Sequence, residues 1–317
     1  MTKRKVPAGP PDNGHLVAQA RRVRELLAVG AGPVDLAGID TRATPGLPDS
    51  KLDPDRKTWS RSEVAHMGGP LASQQERLYA RALVAGDPRR FLLVLQALDC
   101  GGKDGTIKSV VRWMNPQGVG IKAFGPPTEE ERRHHFLWRI RNALPPAGYV
   151  GVFNRSQYED VLAARVRRLV PKRTWQARYD EINRFEEELV AGGTTIVKVM
   201  LHISYEEQRK RLLARLEDPT KRWKFNPSDL DDRALWPAFQ AAYEDALTRC
   251  NTETAPWYVV PADRKWYRNW AVANLLLAVF DGIGLTYPEV DLDVPDLRKR
   301  LESDASGNDR DGERKVN

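Results

Sequence analysis

Cysteine is scarce in this chain of 317 residues, and the two present, Cys100 and Cys250, supply neither a disulfide framework nor a zinc site. A reducing, cytoplasmic setting is therefore the expectation. Long apolar runs are lacking too. The longest, 271–280, contains Asn274 and is far too short to span a bilayer, so no integral membrane protein and no membrane partner is expected. The basic N-terminus leads into no apolar segment, which argues against a secretory signal. No Pro/Gly/Ser-rich linker divides the chain, and no internal repeat is visible. One globular body over 51–290 follows, behind a Pro-, Gly- and charge-rich extension over 1–50 that reads as partly disordered with a short helix at 17–28. The polar end, 291–317, has almost no apolar anchors and reads as a disordered tail.

What is present suffices for a sizeable core: 41% of residues are hydrophobic. Lys and Arg number 50 against 43 Asp and Glu, a formal net charge of +7. That sign favours polyanionic partners, but the total is too small to name one.

Apolar runs alternate with helix-like segments along the body. Strands are expected at 91–98, 120–124, 149–153, 195–202 and 257–260, each nearly continuous in hydrophobicity, as in a parallel sheet covered on both faces. Helices are expected at 106–114, 129–143, 158–169, 177–191 and 206–217, the last opened by a capping box at Ser204-Tyr205-Glu206-Glu207. The alternation predicts a three-layer α/β/α fold with a mainly parallel sheet, whose ligands sit at the carboxyl ends of the strands.

The first such strand runs into Asp99-Cys100-Gly101-Gly102-Lys103-Asp104-Gly105-Thr106, which then opens a helix. Glycines let backbone N–H groups approach anionic oxygens, the helix N-terminus adds positive partial charge, and Lys103 would neutralise a phosphoryl group. The match to G-x-x-x-x-G-K-[ST] is incomplete: Ala97 occupies the leading Gly position and Asp104 replaces the metal-binding hydroxyl. Asp99 at the strand end offers the missing hard oxygen ligand. The competing explanation is a glycine-rich turn with a solvated lysine.

A second strand ends in Phe153-Asn154-Arg155-Ser156, with Glu159 and Asp160 following. Arg155 suits bidentate phosphate binding and one of the carboxylates suits a metal, while Ser156 suits a helix cap. From Arg155 to Arg178, seven basic residues stand against two acids, a local +5 that suggests a track for an extended polyanion. Further on, Asp218-Pro219-Thr220-Lys221-Arg222-Trp223-Lys224-Phe225 has the composition of a lid (about 218–230) that closes over phosphates. The alternative there is a helix connection with Trp223 anchored in the core.

These segments together resemble the polyphosphate kinase 2 family, most closely its class III branch. Further matching segments are Gln75-Glu76-Arg77-Leu78-Tyr79, Asn115-Pro116-Gln117-Gly118, Phe136-Leu137-Trp138-Arg139 and Lys221-Arg222-Trp223-Lys224-Phe225. Ala255-Pro256-Trp257-Tyr258 through Asp263, and Lys265-Trp266-Tyr267-Arg268-Asn269, complete the set, which covers roughly 55–285. The resemblance implies a P-loop kinase-like fold with a helical lid and a catalytic domain over 51–290. It also implies reversible transfer of the terminal phosphoryl group of inorganic polyphosphate to AMP or ADP, giving ADP or ATP, with Mg²⁺ or Mn²⁺. Asp99, Lys103 and Arg155 become the candidate catalytic residues. Phosphate contacts fall to Gly101, Gly102, Lys103, Asp104, Gly105, Thr106, Lys108, Arg155, Arg222 and Lys224. For the nucleotide the candidates are Arg139, Asn154, Tyr158, Glu159 and Arg165, and for the metal Asp99 and Asp160. Asn154 replaces the Asp of other branches. Cys100 and Gly101 stand where alanines are common, a change expected to matter little, and His135 occupies a usually acidic position whose role is open. Guanine nucleotides are a further candidate acceptor, and the family implies a homodimer or homotetramer.

The expected chemistry is an in-line transfer without a phosphoenzyme, in which the already anionic acceptor needs alignment by Asp99 more than deprotonation. An ATP-dependent nucleoside monophosphate kinase would call for Ser or Thr at position 104. A nucleic-acid-binding protein would present exposed aromatics among its cations. The tryptophans here fall in core-like and lid-like segments, so no nucleic acid partner is expected.

Overall fold

The five apolar runs form five strands in the computed structural model, which describes residues 14–48 and 56–307. The first 13 residues, the boundary at 49–55 and residues 308–317 lie outside the described residues, as do the parts of the expected extension and tail that fall there. Strands β1 (Arg90–Gln96), β2 (Val119–Ala123), β3 (Val150–Asn154), β4 (Thr194–His202) and β5 (Trp257–Pro261) make one sheet in the order β2-β3-β1-β4-β5. Every pairing is parallel. Parallel strands need crossovers, and the helices supply them. In chain order these are α1 (Gly14–Leu27), α2 (Arg56–Ala85), α3 (Lys103–Val110), α4 (Glu129–Arg133), α5 (Trp138–Arg141), α6 (Ala163–Val166) and α7 (Lys172–Ala191). They continue with α8 (Tyr205–Glu217), α9 (Ser228–Ala234), α10 (Trp236–Arg249), α11 (Lys265–Ile283) and α12 (Val294–Gly307).

The two-residue period of β1 divides the core. Phe91, Leu93 and Leu95 join the cluster containing α1, α2, α3 and α11, whereas Leu92 and Val94 join the one containing α7 and α10. Both faces are covered, which is why the strands show runs and not alternation. Helix α11 is buried on nearly every side from Tyr267 to Phe280, so the apolar run at 271–280 is the centre of a core helix.

Several segments differ from expectation. The longest helix, α2, passes through Gly68-Gly69-Pro70, a sequence that signals a turn. The glycine at 68 is set by packing and not by a turn: it lies on the Trp113 ring, where a Cβ would come within 2.6 Å. The helix expected over 129–143 breaks into α4 and α5 around His134 and His135. His134 stacks on Trp138 and the His135 ring lies 2.7 Å from the Glu181 carboxylate on α7, so this pair braces the break. The one over 158–169 reduces to a 3₁₀ turn, Gln157–Asp160, and the single turn of α6. Ser204 caps α8 as expected by accepting from Glu207 N, but its own N–H donates to Asp263 and not to Glu207.

The described part of the N-terminal extension is stitched to the body. Helix α1 packs on α11, Ala28 forms an antiparallel bridge with Tyr258, and Leu36 N donates to Glu244. In the expected tail, α12 forms where Pro295 enters the first turn and the Asp293 carboxylate accepts from Asp296 N. Among the described residues no helix is long and apolar enough to cross a membrane.

Candidate active site

The register of β1 with β3 sets Asn154 opposite Leu95, so the next residues of both strands emerge together at the carboxyl edge of the sheet. Arg155 N donates to Leu95 O at 3.0 Å, and its Nη2 donates to Asp99 Oδ1 at 2.6 Å. Arg155 (φ +64°) and Cys100 (φ +63°) both adopt left-handed backbone, a conformation costly for a side chain with a Cβ. Strain is therefore concentrated where the two loops meet.

Gly102 (φ +108°) precedes α3 and turns Lys103 inward. Lys103 is only 9% exposed and donates its Nζ to Ala97 O at 2.8 Å. Burial, and then the charge of Arg155, push its pKa down to about 8. Arg155 itself is held above its ordinary value by Glu159 first and Asp99 second, against the opposing effect of burial. Burial raises Glu159, with Arg155 and Lys103 pulling the other way. The site is thus a buried cluster of two cations and two carboxylates.

Asp160 is differently committed. Its Oδ2 accepts from Arg139 at 3.3 Å, its Oδ1 faces Arg178 at 3.4 Å, and its carbonyl accepts from Arg178 at 2.9 Å. Among the described residues no three Asp, Glu, His or Cys side chains gather as a ready cation cage. That suits a metal bound through one or two carboxylates and substrate phosphates. Asp99 fits as such a ligand, since Arg155 engages only its Oδ1. Asp160, with arginines on both oxygens, fits poorly.

Asp99, Arg155, Glu159 and Asp160 line a cleft of about 670 Å³ that also takes in Arg139, Arg167 and Arg178. Its apolar wall comes from Phe124, Pro126, Pro127 and Phe136. A cleft of this size, with one greasy wall and clustered cations, has the dimensions and chemistry for a small phosphorylated ligand.

Other expected residues lie elsewhere. Tyr158 is fully buried, donates its hydroxyl to Glu186 at 2.8 Å and accepts from Lys198, so it belongs to the core and not to the cleft. Arg165 is bound to Asp245 at 2.5 Å and lies over the Trp175 ring, joining α6 to α10. The Thr106 hydroxyl bonds back to Gly102 O, and Lys108 is exposed on the last turn of α3. Asp104 accepts from Asn154 at 2.8 Å and from Lys224 at 3.0 Å. Burial raises its carboxyl, but those two bonds together with the charges of Lys224 and Lys103 hold it below the usual range. The lid candidate is a 3₁₀ turn, Arg222–Lys224, between α8 and α9. Lys224 reaches the loop helix through Asp104, Arg222 donates to Leu216 O, and Trp223 is 78% exposed, not anchored in the core. Of the local +5 of 155–178, three charges are offset by acids outside the run, because Arg155, Arg165 and Arg167 pair with Asp99, Asp245 and Asp232, while Arg178 pairs with Asp160 within it. Alanine at position 101 would not be neutral here, since a Cβ would meet the Ala97 Cβ at 2.4 Å.

Two arginines escaped the sequence reading as site residues. Arg211 Nη1 donates to Cys100 O at 2.9 Å and its Nη2 to Ala262 O at 2.6 Å, clamping the loop from behind. In the sequence it shows only as the i+4 partner of Glu207. Arg268, on α11, packs beneath Gly102 and Gly105.

The family profile for polyphosphate kinase 2 matches residues 59–283. The AMP/ADP-polyphosphate phosphotransferase of Meiothermus ruber is 50% identical over 226 residues, 71% of this chain and 83% of that protein. The ADP-polyphosphate phosphotransferase of Rhodopseudomonas palustris is 41% identical over 245 residues, 73% of this chain and 84% of its own length. The crystal structure of polyphosphate kinase 2 from Arthrobacter aurescens superposes with a TM-score of 0.84 at 46% identity, covering 90% of this chain and 98% of the other. The parallel sheet, the loop between β1 and α3 and these likenesses agree: the chain has a P-loop kinase-like fold and belongs to the polyphosphate kinase 2 family.

Proposed function

We propose that the chain transfers the terminal phosphoryl group of inorganic polyphosphate to AMP and to ADP. The observation that carries this reading is the Asp99–Arg155 pair at the junction of β1, β3 and α3, which lines the 670 Å³ cleft with Lys103 buried behind it. The names of the relatives, one for AMP and ADP and one for ADP, support both acceptors. The acceptor's base and ribose would take the Phe124–Phe136 side of the cleft, with its phosphates toward Arg139, Arg155 and Arg178.

For the donor, a second groove of about 760 Å³ is more suitable than the 155–178 run. Arg61 on α2, Arg112 beyond α3, Lys210 on α8 and Arg264 and Lys265 at the start of α11 line it, and none of these five pairs with a carboxylate among the described residues. Burial lowers the Lys265 pKa, and the cations Arg211, Arg268 and lid residue Lys221 lower it further, as expected of a surface built for a polyanion.

In the transfer, an anionic oxygen of the acceptor phosphate forms a bond to the terminal phosphorus, and the bridging P–O bond breaks, leaving its charge on the shortened chain. Arg155 and Lys103 hold that phosphoryl group in line, and Asp99 orients Arg155. A divalent metal (Mg²⁺ or Mn²⁺) held by Asp99 and the substrate phosphates would supply charge neutralisation. Lys103 serves only as an ammonium. With its folded pKa near 8, kcat/KM for polyphosphate is expected to fall above about pH 8. kcat should hold to higher pH, because bound phosphates favour the ammonium. The sign for stability is opposite: burying the charged form is a penalty below about 8, lifted as pH rises toward the ordinary lysine value of 10.5. Coincident limbs near pH 10 would contradict this role.

The assay is AMP or ADP with polyphosphate as sole donor, in Mg²⁺ and then Mn²⁺, with products resolved by chromatography. ADP and ATP should appear. Turnover of AMP only when ATP is supplied would instead identify a nucleoside monophosphate kinase.

A further inference from the structure

Two buried arginines approach the phosphate loop from behind, and they are not equivalent. Arg211 is saturated: its three nitrogens reach Glu207 and the carbonyls of Cys100, Ala262 and Asp263. Arg268, 3% exposed, has no carboxylate. Its Nε and Nη2 share the neutral Oδ1 of Asn269 at 3.1 and 2.8 Å, and its Nη1 has no acceptor among the described residues. That Nη1 occupies the space where a Cβ on Gly102 would lie, 1.8 Å from it, and Nη2 is 2.9 Å from the equivalent point on Gly105. A cation is therefore fixed under the first turn of α3, the positive end of a helix, close to the cation Arg211 and beneath the same turn that carries buried Lys103. Each of these neighbours raises the energy of an unpaired guanidinium.

We propose that Arg268 is a positioning residue of the phosphate loop, a buried charge that the bound phosphate chain compensates and that no carboxylate among the described residues does. It props Gly102 and Gly105 in the conformation that cradles phosphate, and its field reaches the ligand through the loop backbone. The protein without ligand bears the electrostatic cost, and binding relieves it. The inference rests on the phosphate-transfer reading for the nature of the anion.

The test uses the full chain and inorganic tripolyphosphate, without nucleotide or turnover, so its failure leaves the transfer assay to decide that reading independently. Thermal unfolding of wild type, Arg268→Met and Arg268→Lys is followed with and without tripolyphosphate. Arg268→Met should melt about 2–4 °C above wild type when unliganded, and its tripolyphosphate-induced shift should fall below half of the wild-type shift. Arg268→Lys, which keeps the charge, should retain more than half of the shift. A lower melting temperature for unliganded Arg268→Met, or an undiminished shift, would show an ordinary packing role and overturn the proposal. Should Arg268→Met not fold, Arg268→Lys decides: retention of the shift sustains the proposal and its loss ends it.

Discussion

Lys103→Ala should lower polyphosphate-dependent transfer by about 10²–10³-fold or more while the fold survives. Both halves follow from the geometry. The Lys103 ammonium is preorganised beside Arg155 in a site largely shielded from water, where a charge aimed at a transferring phosphoryl group acts at low dielectric. Among the described residues its one hydrogen bond through Nζ is to Ala97 O, so little else depends on it. Removing a desolvated cation from the company of Arg155 also removes a repulsion. The melting temperature is therefore expected to stay within a few degrees of wild type. The measurement pairs initial rates with thermal unfolding. Near-wild-type turnover would remove Lys103 from the mechanism, and a collapsed melting temperature would make the lost activity uninformative.

Lys198→Met should be the most damaging single change to stability, lowering it by about 3–5 kcal/mol. Lys198 on β4 is wholly buried and donates to Glu186 at 2.5 Å, to Cys250 O at 2.6 Å and to the Tyr158 hydroxyl at 3.0 Å. Glu186 in turn accepts from Tyr158 at 2.8 Å and from Gln157 at 2.9 Å. Methionine fills the volume but strands the Glu186 carboxylate without a counter-ion. At roughly 2–4 °C per kcal/mol for a domain of this size, the melting temperature should fall by about 6–20 °C. The double variant Lys198→Met/Glu186→Gln should recover most of that loss, because the amide oxygen still accepts from Tyr158 while the buried charge is gone. A double variant no more stable than the single one would show that packing, not an uncompensated charge, governs the site. The network lies two to three residues beyond Arg155, so the single variant should also lose activity below its melting range.

How much of this was legible without coordinates depends on the distance over which each property is decided. The five strands were, because burial on both faces writes itself as an unbroken apolar run. The strand–loop–helix passage from β1 through Gly101 and Gly102 to α3 was too, because its parts are contiguous. Helix α2 was obscured by Gly68-Gly69-Pro70, whose meaning is set by Trp113, more than 40 residues on. The family resemblance put Tyr158 among the nucleotide contacts, yet a 3₁₀ turn directs it into the core toward Glu186 on α7.

By itself the sequence determined the family, the parallel α/β architecture and the two strand-end segments that carry Asp99 with Lys103 and, separately, Arg155, all of which depend on local order and periodicity. Only the tertiary structure decided which cations are committed and which are available. In the basic run at 155–178, Arg155, Arg165, Arg167 and Arg178 proved paired with Asp99, Asp245, Asp232 and Asp160, while unpaired charge gathers from α2, α8 and α11 around a groove that no continuous segment encodes. The reason is physical: a charge's value depends on its burial and on the nearest counter-ion, and both are supplied by residues distant in the chain.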